Sequence, residues 1–174
     1  MVLAIDPSLT STGVVLGSRK PTIDLWKPGE RRGPERLKWF FNRTTKIISH
    51  WEPAVVAIEG YAYRAKDSHA HSLGELGGVI RLACARTSTP LLVVPPGNIK
   101  KFATGKGNAN KQLVLTEAVR RLDYEGHSDD EADALWLWHL AQAWLNDGTP
   151  LDGVKLPALH LKALDEIDKG LWKP

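Results

Sequence analysis

Four acidic residues stand where an acid needs a reason. Val2-Leu3-Ala4-Ile5 runs straight into Asp6, and Ala54-Val55-Val56-Ala57-Ile58 runs into Glu59. Pro7 cannot donate to a sheet ladder, so the first strand stops there. Both acids thus fall at carboxyl ends of strands, where open α/β sheets place their working residues. Asp130 and Asp133 are three apart at the start of an apolar segment, a spacing that puts both on one helix face. With the two strands adjacent and the helix packed over their ends, all four converge. Buried carboxylates repel and are costly to desolvate, so such a cluster calls for cations. Hard oxygen ligands select magnesium or manganese. Two such ions roughly 4 Å apart activate a water and stabilise the leaving oxygen of a phosphodiester.

Each acid also has a plainer explanation. Acids in a helix's first turn are stabilised by the helix dipole, which accounts for Asp129, Asp130 and Glu131 without any chemistry. Asp133 lies past that turn among Ala132, Ala134 and Leu135, where an acid is unwelcome. Asp6 can serve as a turn residue before Ser8 and Thr10, and Glu59 stands similarly before Gly60.

The elements that must position these acids read as follows. Residues 1–6, 12–16 and 21–26 are expected strands of an N-terminal meander. A helix spans 35–50, with Leu37, Phe40, Phe41, Thr44, Ile48 and Trp51 as its apolar stripe. Arg36, Lys38, Arg43 and Lys46 are expected mostly off it, on a solvated face. The apolar run ending in Glu59 suggests a sheet covered on both faces. A helix over 68–86 contains Gly74, Gly77 and Gly78, each costing roughly 1 kcal/mol relative to Ala. That cost suggests close packing against the sheet or a second subunit. A strand over 90–94, a short helix to Phe102 and a helix bearing Leu115, Ala118, Val119 and Leu122 follow. Ser128 and Glu131 form an expected capping box for the last long helix, to about Asn146. The order implies an α/β fold, a mixed five-stranded sheet with helices on both faces. The expected division is a nuclease domain over 1–147 and a C-terminal tail over 148–174 with a short helix.

Composition sets bounds. The chain has 174 residues, a formal net charge of +3 and one cysteine, Cys84. The length fits one domain with a real core. One cysteine makes neither an intrachain disulfide nor a Cys-based zinc site, which suits a reducing cytoplasm. The N-terminus reads as a strand rather than a signal peptide, and no apolar run is long enough to span a membrane. A pI near 9.0 leaves nucleic acid open as a partner. Lys100, Lys101, Lys106 and Lys111 bracket a Gly-rich loop that can approach phosphates closely.

Ala4-Ile5-Asp6-Pro7-Ser8 with Thr12-Gly13, Ile58-Glu59 and Asp130-Glu131-Ala132-Asp133-Ala134-Leu135 resemble the RuvC family of Holliday junction resolvases, within the ribonuclease H-like superfamily. Ser72 to Val79 resembles the family's Leu-Gly-x-x-x-Gly-Val helix, and Ile99 to Lys111 its basic Gly-rich segment. The resemblance runs over residues 1–143, and the compact, divergent sequence looks more like bacteriophage members than bacterial ones. It implies that Asp6, Glu59, Asp130 and Asp133 bind metal and catalyse, with Mg2+ (or Mn2+), two ions per site. It implies that Lys100 and Lys111 lie near the DNA backbone and the site, Lys111 with a catalytic role. The partner is then a four-way or branched DNA held by a homodimer, with Leu73, Gly74, Gly77 and Gly78 at the interface. Two strands would be nicked symmetrically, leaving 5′-phosphate and 3′-hydroxyl ends. The family often has a stacking aromatic shortly after the strand-end Glu. Here Ala62 takes that position, flanked by Tyr61 and Tyr63, with Arg64 beside them as a further DNA contact.

Two other functions compete. Asp6 to Gly13 also resembles the phosphate loop of actin-like ATPases, but those need two lobes and this chain has room for one. A catalytically silent DNA-binding module has no need of all four acids.

Overall fold

The computed structural model describes residues 1–60, 70–151, 153–165 and 167–174. Tyr61, Tyr63, Arg64 and Ser68 lie outside the described residues. Three antiparallel strands come first: β1 (Val2–Asp6), β2 (Thr12–Gly17) and β3 (Thr22–Trp26). Helix α1 (Gly33–Trp51) crosses to β4 (Val55–Glu59), and α2 (Ala70–Arg86) to β5 (Leu91–Val94). β4 pairs parallel to β1, and β5 parallel to β4. Then come α3 (Pro96–Thr104), α4 (Lys111–Leu122) and α5 (Asp129–Leu145). The tail folds into α6 (Ala158–Leu161), a 3-10 turn (Ile167–Gly170) and β6 (Leu171–Trp172).

The sheet has six strands in the order β3-β2-β1-β4-β5-β6, not the five expected. The sixth is two residues long and lies antiparallel on the edge of β5, Leu92 facing Leu171. Nothing in Leu171-Trp172 carries a strand period; the β5 edge recruits it. Gly170 permits this, because a Cβ there would sit 2.0 Å from the Val93 carbonyl oxygen.

Alternation along the strands sorts the core into two layers. Leu3, Ile5, Val56 and Ile58 face α1 and α2, packing with Phe40, Ile48, Leu76 and Ile80. Val2, Ala4, Val55 and Ala57 face α5, packing with Trp136, Leu137, Trp138 and Leu140. Side chains alternate with period two, so Asp6 continues the Val2–Ala4 row and Glu59 the Val55–Ala57 row. Both acids therefore face α5. That helix is buried almost all round, so its polar atoms need partners. The Trp138 indole donates to the Val2 carbonyl at 3.2 Å and Trp136 to that of Val114 at 3.1 Å.

Two assignments on α1 reverse. Arg36 is buried on the inner stripe beside Phe40, Thr44 and Ile48. Trp51 is 48% exposed at the end of the helix. A long arginine stem can occupy an apolar stripe that composition would give to a hydrocarbon.

Candidate active site

β1 and β4 put Asp6 and Glu59 side by side. Ile5 pairs with Ile58, so the two acids are the next residues of adjacent parallel strands. The turn after β1 is closed by Thr12, whose hydroxyl donates to the Ser8 carbonyl at 2.8 Å and accepts from the Ser8 N–H at 3.0 Å. With Thr12 closing the turn, Asp6 points across to α5 rather than holding the loop.

Gly13 brings α5 down onto these strand ends. It pairs with Asp6 across β1 and β2. A Cβ at Gly13 would lie 2.0 Å from the Asp130 carbonyl oxygen and 2.9 Å from the Ala134 Cβ. Only glycine lets the first turn of α5 approach so closely.

The capping box of α5 is half formed. Ser128 Oγ accepts from the Glu131 N–H at 3.3 Å, but the Glu131 carboxylate does not reach back to the Ser128 N–H. The Tyr124 hydroxyl stands between them, donating to Glu131 Oε2 at 2.5 Å and accepting from the Ser128 N–H at 3.3 Å. Burial first, and then the Glu131 bond, push the phenol up to about 12. Glu131 thus turns away from the strand ends, leaving Asp130 and Asp133 toward them.

Asp6, Glu59, Asp130 and Asp133 line one cleft of about 480 Å3 together with Lys100 and Lys111. Pro7, Ser8, Gly60, Ala70, Leu73 and Pro96 complete its described walls. A larger cavity, about 740 Å3, lies at the far ends of α1 and α2, and Glu52 is its one acid. Only the smaller one gathers carboxylates.

Like charge shapes the cleft. Burial, then a hydrogen bond with Glu59, then repulsion from Glu59, Asp133 and Asp130 hold the Asp6 carboxyl well above the usual range. Asp133 is pushed up to about 6 by burial and by Glu59, against the opposing pull of Lys111 and Lys100. Among the described residues no three Asp, Glu, His or Cys side chains form a ready-made cation cage. Burial and these neighbours favour the neutral form of Asp6, and the ammonium groups of Lys111 and Lys100 offset part of the charge. The donor set, four carboxylates with no nitrogen or sulfur ligand among the described lining residues, fits a hard divalent cation.

Other expected site residues fall elsewhere. Lys101 and Lys106 do not line the cleft, and Lys106 is exposed on the loop after α3. Leu73, expected at an interface between subunits, lines the cleft within one chain. A Cβ at Gly74 or Gly78 would meet nothing within 4 Å, so these two do not serve close packing on the sheet. Gly77 is buried. Gly13 as a spacer and Tyr124 as a brace escape sequence reasoning. Gly13 carried a signal, a glycine opposite Asp6 in the N-terminal hairpin; Tyr124 carried none.

Known proteins resemble this chain over most of its length. The family described as crossover junction endodeoxyribonuclease RuvC matches residues 2–138. The crossover junction endodeoxyribonuclease RuvC of Desulfitobacterium hafniense is 31% identical over 144 residues, 78% of this chain and 87% of that protein. The protein of that name from Hydrogenovibrio crunogenus is 32% identical over 142 residues, 77% of this chain and 82% of that one. Thermus thermophilus RuvC shares the fold, with a TM-score of 0.67 at 24% identity over 86% of this chain and 98% of its own. The yeast mitochondrial Holliday junction resolvase superposes more loosely, at a TM-score of 0.56 and 14% identity, over 94% of this chain and 79% of its own. With the family match covering most of its length, the chain belongs to the RuvC family of crossover junction endodeoxyribonucleases.

Proposed function

We propose that this chain resolves four-way DNA junctions, and related branched DNA, by paired symmetric nicks that depend on divalent metal. The observation that carries the reading is the convergence of Asp6, Glu59, Asp130 and Asp133 with Lys100 and Lys111 on one cleft. Supporting it, the curated relatives are named crossover junction endodeoxyribonucleases, and a RuvC of similar fold has been seen in complex with Holliday junction substrate.

In this reading the four acids hold two Mg2+ ions per site, with Mn2+ as a substitute. When bound, such ions supply Lewis acidity toward the attacking water and the leaving oxygen. The chain does the rest. Lys111 and Lys100 draw the scissile phosphate into an otherwise acidic cleft and offset charge that develops on it. Leu73, Ala70 and Pro96 wall the site and limit bulk water. Water adds to phosphorus as the bond to the 3′ oxygen breaks, leaving 5′-phosphate and 3′-hydroxyl ends that a ligase can seal.

Paired nicks need two sites, so the working form is a homodimer. The face of α2 carrying Gly74 and Gly78 is the candidate interface, with Gly77 and Leu73 behind it. Leu82, 57% exposed on the same helix, supports this. Lys101 and Lys106 are read as contacts to DNA outside the cleft, and Tyr61, Tyr63 and Arg64 as further contacts to DNA. Residues 148–174 are read as a tail docked on a nuclease domain of residues 1–147. Asn98 donates to the Ala163 carbonyl at 2.7 Å, and His160 Nδ1 lies 2.9 Å from that of Phe102. No helix among the described residues is long and apolar enough to cross a membrane, and the place of work is read as the cytoplasm, the host's for a phage-encoded protein.

The test is a labelled synthetic four-way junction beside a matched linear duplex, each with Mg2+, Mn2+ or EDTA. The expected result is two symmetric nicks in the junction only, with either metal. Equal cutting of the linear duplex, or cutting in EDTA, contradicts the proposal.

A further inference from the structure

The C-terminal tail grips the helix that carries one of the two cleft lysines. That helix, α3, holds itself weakly. It has 9 residues, Pro95 as its N-cap with no side-chain cap bond, and Gly97 in its first turn. A helix so short is marginal on its own, and its last carbonyls have no partner within it. The Gly105 N–H satisfies the carbonyl of Lys101 at 2.8 Å. The carbonyl of Phe102 takes its bond from the tail, from His160 Nδ1 at 2.9 Å. A carbonyl only accepts, so Nδ1 carries the proton. The His160 ring is buried over the helix end, and a Cβ at Gly105 would lie 3.1 Å from its Nε2. Nearer the start of α3, Asn98 donates to the Ala163 carbonyl at 2.7 Å. Ala163 and Ile167 of the tail share one buried layer with Ile99, Phe102 and Ala103. The strand that leads into α3 is held too, by β6 along the β5 edge.

The grip falls on the side of α3 away from the cleft. Asn98 and Phe102 are four apart and share one side of the helix, and Lys100 between them projects from the other. There it lines the cleft. The tail's hold on the second cleft lysine is remote. Lys111 opens α4, and the tail meets that helix near its other end, where Arg121 donates to the Lys155 carbonyl at 2.8 Å. The intervening helix is about 15 Å long.

We propose that the tail is a strap that sets Lys100 in the cleft, with His160 and Asn98 as positioning residues for the cleavage step. Neither lines the cleft; both act through α3. The inference rests on the reading of Lys100 above as a phosphate-holding group and adds what keeps it in place.

The experiment uses the full chain and single-turnover cleavage of a labelled four-way junction at saturating protein and Mg2+. His160→Leu keeps an apolar side chain and removes the donor. It is expected to slow cleavage by about tenfold to a hundredfold, the range for a displacement of up to about 1 Å at a reacting group. His160→Asn puts an amide N–H where Nδ1–H stood and is expected to restore most of the rate. In a Lys100→Ala chain His160→Leu should cost nothing further, and in a Lys111→Ala chain it should cost its full factor. Trp144→Phe removes the tail bond to Asp168 at the end of α5 away from the cleft; it should lower Tm without slowing cleavage. His160→Leu at the parental rate overturns the inference. So does an equal loss in the Lys100→Ala chain, because the tail then acts on the fold as a whole. Should His160→Leu not fold, Asn98→Ala is judged by the same criteria. Amide hydrogen exchange gives a readout that needs no substrate. Residues 96–104 should lose protection in His160→Leu while the first turn of α5 keeps it, and unchanged exchange over 96–104 overturns the inference. A parent chain that cuts no junction overturns the junction reading, and the exchange result then decides the strap by itself.

Discussion

Gly13→Ala tests whether the close approach of α5 to β2 sets the site. The added Cβ would stand 2.0 Å from the Asp130 carbonyl oxygen, 2.7 Å from its carbon and 2.9 Å from the Ala134 Cβ. The two shortest contacts are to backbone, so no rotamer change relieves them. Ordinary contact distances are longer by more than about 1 Å, so the strand and the helix must part by about that much. Asp6 pairs with Gly13, and the parting passes directly into the separation of Asp6 from Asp130 and Asp133. Overpacking of this kind costs about 1–3 kcal/mol, a fall in Tm of roughly 3 to 10 °C at this size. A 1 Å misplacement of reacting groups costs about a hundredfold in rate. The assay is single-turnover junction cleavage at saturating Mg2+, with thermal melts on the same samples. Gly17→Ala is the control. Its Cβ would lie 2.7 Å from Pro21 Cα at the opposite end of β2, so stability should fall without the rate loss. A Gly13→Ala protein that cleaves at the parent rate, or a Gly17→Ala protein that loses as much rate, would refute the reasoning.

Three further outcomes follow from the buried ionisable groups. Asp133 has a folded pKa of about 6, raised by burial and Glu59. An acid with a raised folded pKa stabilises the fold below its unfolded pKa and loses that contribution as pH rises through about 6. Metal-free protein should therefore gain stability from Asp133→Asn at pH 8, by on the order of 3 kcal/mol at most, and not at pH 4; chemical denaturation at both pH values checks this. His139 is lowered to about 4 by burial. Its contribution is complete above the unfolded pKa and is lost as pH falls toward 4, so His139→Phe should flatten the acid limb of the stability profile. Tyr124→Phe removes the hydroxyl that bridges Glu131 and the Ser128 N–H. It should cost about 1–3 kcal/mol and slow cleavage, with a higher Mg2+ requirement in a metal titration.

Much of the site was legible because two periods intersect in it. An apolar run ending in an acid reads as a strand with its acid at the tip, and Asp6 and Glu59 both obey it. The three-residue step from Asp130 to Asp133 reads as one helix face. What sequence could not give is how elements approach one another. Gly13 matters through a backbone distance to Asp130 that lies 117 positions along the chain. Arg36 carries a charge and was placed outside, yet its stem fills an apolar stripe and its Nε is sealed in. The tail read only as a short helix, which α6 bears out, and nothing in its sequence shows where it docks. Its order comes from partners elsewhere, the Phe102 carbonyl for His160 and the β5 edge for Leu171 and Trp172. The capping box was read from a true pattern, and Tyr124 took one half of it through a contact no local rule contains.

The central claim is that Asp6, Glu59, Asp130 and Asp133 act as one metal-holding unit on a four-way junction. The most direct measurement is single-turnover cleavage and junction binding by Asp6→Asn, Glu59→Gln, Asp130→Asn and Asp133→Asn, each alone, and by Asp6→Asn/Asp133→Asn together. The expected result is that every single change abolishes cleavage by about a thousandfold or more while junction binding is kept. The double change should be no worse than either single, as for residues that act as a unit. Near-parental cleavage by any one of the four, or losses that multiply in the double variant, would contradict the claim.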